Sequence, residues 1–114
     1  LVEDAIKAAK NNAALNGITN CEFYAGDVQA VVQEHPARPD VVVVDPPRDG
    51  LHQKALPLIV GLDAPQLVYV ACKPKSLARD LALLTAAGYT MEKIEGMDMF
   101  PRTPHVEAIA LLRR

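Results

Sequence analysis

The residue with the most chemistry to offer is a cysteine in the stretch YVACKPKS, residues 69–76. Cys72 ends an apolar run and is followed by Lys73, Pro74 and Lys75. Two neighbouring ammonium groups and the start of a helix after Ser76 favour thiolate, the nucleophilic form. The same position also suits a small hydrophobe closing a buried strand, because cysteine is among the most buried residue types. Asp45 opens the stretch DPPRDGL, where two prolines fix the backbone and deny it a regular helix. A carboxylate held that rigidly either caps its own turn or reads an N–H edge. Asp27, after Gly26, has the plain reading of a turn cap. Glu107 follows the Pro-rich loop FPRTPH that carries Arg102 and His105. It reads as a solvent-facing strand residue, or as a general base if the loop folds over a site. His105 reads as a loop-orienting group, a phosphate ligand or a surface histidine. Cys21 lacks flanking cations and reads as packing. No metal-ligand spacing joins the three histidines to either cysteine.

These residues need a scaffold, and the apolar pattern predicts one. Val2, Ile6, Ala9 and Ala13 recur at helical spacing, and Gly17 suits the helix's left-handed C-terminal cap. CEFYAGD (21–27) reads as a short strand, and Val28–Glu34 as a brief helix stopped by Pro36. The run of valines at 41–44 predicts a strand buried on both faces, as in a parallel sheet covered by helices. Residues 52–60 read as helical, and QLVYVAC (66–72) as the next buried strand. Ser76 is the expected N-cap of a helix with Leu77, Leu81 and Leu84 on one face and Gly88 at its end. Two closing strands, in 89–100 and 105–114, leave no room for a helix between them and should pair antiparallel. Strands alternating with helices imply an α/β fold. Ligands then collect at the carboxyl ends of the strands, where Asp27, Asp45 and Cys72 fall.

Bulk properties narrow the function class. Of 114 residues, 50% are hydrophobic and 23% charged, as in a folded globular domain. No apolar run approaches a membrane span of about 20 residues, and the first residues already read as an amphipathic helix rather than a signal peptide. Two cysteines make no disulfide framework, which favours a cytoplasmic setting. A net charge of −2 is not that of a self-sufficient nucleic-acid binder, so RNA affinity would need a local patch or another domain.

The ordered set DPPRDGL, YVACKPKSLARDL, AGYT and MDMFPRTPHVEAIALL resembles the catalytic domain of RNA uracil-5-methyltransferases. The similarity runs through essentially all of the chain, including LNGITNCEFYAGD. It implies a Rossmann-like methyltransferase fold, S-adenosylmethionine as methyl donor, and 5-methyluridine formed in tRNA or 23S rRNA. It further implies that Cys72 adds to C6 of uracil and that Glu107 removes the C5 proton. Asp45 would lie near the target base and methyl donor, and Asp27 next to the cofactor adenine. Arg48, Arg102 and His105 would meet substrate phosphate or hold the site loops. Lys73 departs from the Asn or Asp common after the family's cysteine.

The resemblance also implies that residues 1–114 are the C-terminal portion of one catalytic domain. The Gly-rich cofactor loop, the first strands and an RNA-binding domain would lie upstream of Leu1. Such a piece is expected to be inactive alone and prone to non-native self-association through exposed strand edges. Two other readings remain. Amino-group methyltransferases of nucleic acids carry an Asp/Asn-Pro-Pro-aromatic tetrad, but the fourth position here is Arg48. The chain could also be a non-catalytic truncated interaction module.

Overall fold

The computed structural model describes residues 2–98, 102 and 106–114. The chain divides into two compact units, Leu1–Pro36 and Ala37–Arg114. The first holds helices α1 (Val2–Leu15) and α2 (Val28–Glu34). Glu3 and Asp4 occupy the first turn of α1, where negative charge complements the helix dipole. At its other end Gly17 takes φ +67°. The Ile18 N–H then bonds the Ala13 carbonyl (2.9 Å) and the Gly17 N–H that of Ala14 (3.2 Å), the paired closure of a Schellman motif. Residues 21–25 are not a strand. Their alternation suits a sheet, but all four described strands lie in the other unit and none pairs with them. Cys21 is exposed rather than packed.

The second unit is built on a sheet of β1 (Val41–Val44), β2 (Gln66–Ala71), β3 (Thr90–Met97) and β4 (Glu107–Arg113), in the order β1-β2-β4-β3. β1 and β2 are parallel, while β4 runs antiparallel to both β2 and β3. Three strands therefore share one direction and β4 alone reverses, as the short connection between the last two requires. Helices α3 (Ala55–Gly61) and α4 (Pro74–Ala86) supply the rest of the core. Pro57 lies in the first turn of α3, where a missing N–H costs nothing.

One sheet face is well packed. Leu67, Tyr69 and Ala71 of β2 alternate inward with Ala108, Ala110 and Leu112 of β4, joined by Ile59, Leu77, Leu84 and Tyr89. The Tyr89 hydroxyl donates to the Ala64 carbonyl (2.7 Å), so this buried ring leaves no polar group stranded. The valine strand corrects the expectation of burial on both faces. Val42 and Val44 pack against the core, but Val43 is 64% exposed and Val41 is also exposed. Among the described strands β1 pairs only with β2 and is a sheet edge.

The start of α4 is a second correction. The helix begins at Pro74, not after Ser76; proline's fixed φ suits this position, and Lys73 precedes it as N-cap without a side-chain bond. Ser76 is instead buried inside the first turns, where its hydroxyl makes a long-range contact described below.

Candidate active site

The strand register gathers three of the predicted residues at one end of the sheet. Val44 pairs with Tyr69 across the parallel β1–β2 ladder, so Asp45 leaves β1 two residues short of the level of Cys72. Ala71 pairs with Ala108 across the antiparallel β2–β4 ladder. That pair closes the ladder, and Cys72 and Glu107 are the residues next to it in sequence. Glu107 also pairs with Met97, which places it between two strands. Cys72 and Glu107 are half-buried and Asp45 is exposed. Glu107 alternates with Ala108, so it shares its face with Ile109 and Leu111 rather than with the packed core.

The other predicted residues fall elsewhere. Asp27 caps α2: its Oδ1 accepts from the Gln29 N–H at 2.8 Å, the plain reading of that residue. Arg48 is exposed in the loop after β1. Arg102 is exposed and takes φ +69°, unusual for a residue with a side chain. His105 lies outside the described residues.

Beside the site is a polar cluster that the sequence reading missed. Asp80 of α4 is 1% exposed. Its Oδ2 accepts from the Leu51 N–H (2.8 Å) and the Tyr69 hydroxyl (2.5 Å), and its Oδ1 from Arg79 Nε (3.2 Å). Arg79 Nη2 donates to the Asp49 carbonyl, and Ser76 Oγ to the Arg48 carbonyl (2.7 Å). Burial, and then the hydrogen bond to Asp80, push the Tyr69 hydroxyl above the ordinary tyrosine range. The signal was available in the sequence. Asp80 is four residues after Ser76 and four before Leu84, on the apolar stripe of its helix, where an unpaired carboxylate would be costly.

Gly50 completes this contact. It takes φ +86°, and a Cβ built there would lie 2.5 Å from Asp80 Oδ2. Gly50→Ala is therefore expected to destabilise the chain by roughly 1–3 kcal/mol, the usual scale for a strained non-glycine backbone. Thermal denaturation reads this directly, and an unchanged melting temperature would show that the loop does not need the glycine.

Comparison with known proteins identifies the family. The family model for tRNA (uracil-5-)-methyltransferases matches residues 1–114. The chain belongs to this family. An uncharacterized RNA methyltransferase of Clostridium tetani is 52% identical over all of the chain, which spans 25% of that relative. One from Caldanaerobacter subterraneus is 50% identical with the same coverage. Among solved structures, the tRNA (uracil-54, C5)-methyltransferase of Pyrococcus abyssi, in complex with S-adenosyl-L-homocysteine, superposes with TM-score 0.80 at 37% identity. That match covers 96% of this chain and 26% of the Pyrococcus chain. The M1.HpyAVI–SAM complex, at 14% identity and TM-score 0.61, shows a shared α/β fold alone. The chain thus spans about a quarter of the length of these RNA methyltransferase relatives and of the Pyrococcus enzyme.

Proposed function

We propose that the protein carrying this chain transfers a methyl group to C5 of a uridine in RNA, with Cys72 as nucleophile and Glu107 as general base. The observation that carries this reading is the register pairing Ala71 with Ala108, the sequence neighbours of Cys72 and Glu107, at the sheet end where Asp45 follows β1. C5 and C6 of uracil are bonded neighbours. Two side chains acting on them must come from nearby positions, and residues next to one ladder pair meet that need.

The chemistry follows from the residues. Uracil C5 is a poor nucleophile until a group adds at C6. Addition of the Cys72 thiolate forms an Sγ–C6 bond and moves the C5–C6 electron pair into an enolate with carbanion character at C5. S-adenosylmethionine, when bound, would supply an electrophilic methyl group on a sulfonium, the S–CH3 bond breaking as the C5 carbanion takes the methyl and its electron pair staying on sulfur as a neutral thioether. Once methylated, C5 carries both the methyl group and its original hydrogen. Glu107 takes that proton, the C5–C6 double bond re-forms, and the Sγ–C6 bond breaks to release Cys72. Asp45, exposed at the end of β1, has the acceptor chemistry to hold an N–H edge of base or cofactor. Asp27 would meet the adenine through the carboxylate oxygen not used in capping α2. Arg48, Arg102 and His105 would meet RNA phosphate or hold the loops.

The RNA is a tRNA or rRNA, and the setting cytoplasmic; among the described residues no helix is long and apolar enough to cross a membrane. An amino-group methyltransferase is less well supported, since Arg48 stands where the base-stacking aromatic would be and Cys72 would have no role. Nucleoside mass spectrometry of RNA treated with the full-length protein and S-adenosylmethionine should reveal 5-methyluridine. Methylation on an exocyclic nitrogen instead would overturn the assignment.

Residues 1–114 on their own are proposed to bind S-adenosylmethionine weakly or not at all, and to lack activity. Residues 1–114 contain no Gly-rich loop of the kind that cradles this cofactor. Self-association would start at the edge of β1, where Val41 and Val43 are exposed. Calorimetric titration of the chain is expected to show little heat of binding; tight one-to-one binding would contradict this.

A further inference from the structure

Asp45 and Cys72 reach the site on different strands, and each is followed by a segment that the Asp80 cluster ties to the other. The segment after Asp45 runs through Arg48, Asp49, Gly50 and Leu51. The segment after Cys72 enters α4, which carries Ser76, Arg79 and Asp80. Backbone groups of Arg48, Asp49 and Leu51 are each bonded by one of these α4 side chains. Within the loop, the Gly50 N–H bonds the Pro47 carbonyl (2.8 Å), which tightens the turn that presents them. We infer that Asp80 is a positioning residue for the proposed methyl transfer, locking the loop after Asp45 to the helix after Cys72 and so fixing the two groups relative to each other.

A buried carboxylate with three hydrogen-bonded partners is a costly way to stabilise a helix, and well-packed apolar residues often do as well. What it adds is direction. Asp80 bonds the β2 ring of Tyr69, the loop at Leu51 and its own helix through Arg79, so strand, loop and helix share one junction. Displacement of a reacting group by about 1 Å can cost on the order of 100-fold in rate. A loop released at Leu51 begins only six residues from Asp45.

This inference rests on the uracil methyltransferase reading, and the test separates the two. Asp80→Asn and the milder Ser76→Ala are made in the full-length protein, with Leu84→Ala as a core truncation away from the loop. Each is followed by amide hydrogen exchange at Leu51 and by the rate of covalent adduct formation with RNA containing 5-fluorouridine. Asp80→Asn is expected to speed Leu51 exchange and slow adduct formation by at least about tenfold, as misplacement of reacting groups does. Ser76→Ala should shift both in the same direction by less, and Leu84→Ala should lower the melting temperature without slowing adduct formation below its midpoint. If Asp80→Asn leaves either quantity unchanged, or if Leu84→Ala slows adduct formation equally, Asp80 is merely structural and the inference fails. If Asp80→Asn does not fold, Ser76→Ala decides between the same outcomes. If the unsubstituted protein forms no adduct while making 5-methyluridine, the nucleophilic role of Cys72 fails, and with it the positioning role.

Discussion

Cys72→Ala in the full-length protein is expected to lower methyl transfer by roughly 10⁴-fold or more, the scale on which covalent enzymes respond to loss of their nucleophile. The reason lies in the uracil ring. Without addition at C6, C5 has no carbanion character with which to attack a methyl group, and no other group among the described site residues can supply it. Unfolding would not explain the loss. Cys72 is half-buried and small, lies just past the end of β2, and its truncation should cost little stability. Binding of RNA should survive, since contacts to RNA phosphate would come from other groups. Single-turnover kinetics with labelled S-adenosylmethionine, alongside an RNA-binding curve, would separate these effects. A variant that binds RNA but keeps more than a few per cent of the rate would remove Cys72 from the mechanism.

Glu107→Gln should give a different defect at the same site. The amide keeps the shape of the side chain but cannot take a proton, and loss of a general base typically costs 10²–10⁴-fold. Addition and methyl transfer both precede proton removal, so this variant should stall after methylation. The expected product is a protein–RNA adduct on ordinary uridine, stable to denaturation and already carrying the methyl group. Cys72→Ala should form none, and the double variant should resemble Cys72→Ala. Denaturing gels with labelled RNA and with labelled methyl donor would show which stage is reached. If Glu107→Gln turns over at the normal rate, the base is another residue; if it forms no adduct, Glu107 acts earlier than proposed.

Much of the site was legible because its residues sit at element ends that local sequence defines. The strand tips at Asp45 and Cys72 follow from short apolar runs closed by proline, and α2 follows from Asp27 and the stop at Pro36. Pairing across the sheet was not legible in the same way. That Cys72 and Glu107 adjoin the Ala71–Ala108 pair depends on the register of β2 with β4, which joins segments about 35 positions apart in sequence; the residues alone offer Glu107 as a base only if the loop before it folds over a site. Residues 21–25 show the opposite failure. Their apolar residues are a fair strand signal, but a strand exists only with a neighbour, and none of the described strands pairs with them. The valines of β1 misled for a related reason. An apolar run reports that both faces can be buried, not that both are, and Val43 stands largely in solvent.

Ser76 and Asp80 carry the plainest lesson. Ser76 precedes an apolar helical pattern and looked like a cap, but Pro74 offers an earlier start and the serine hydroxyl reaches the Arg48 carbonyl instead. Asp80 is not among the candidate residues that the sequence patterns single out. Its place on the apolar stripe was the clue that it must be partnered, although the partners, Tyr69 and Leu51, come from other elements.

The most direct test of covalent catalysis is to find where the RNA becomes attached. The full-length protein, incubated with S-adenosylmethionine and RNA containing 5-fluorouridine, cannot remove fluorine as it would a proton, so the methylated adduct should persist. Proteolysis and mass spectrometry are predicted to find one nucleotide-bearing peptide, modified at Cys72. Attachment at the exposed Cys21, or the absence of any adduct under conditions that convert ordinary uridine to 5-methyluridine, would contradict it.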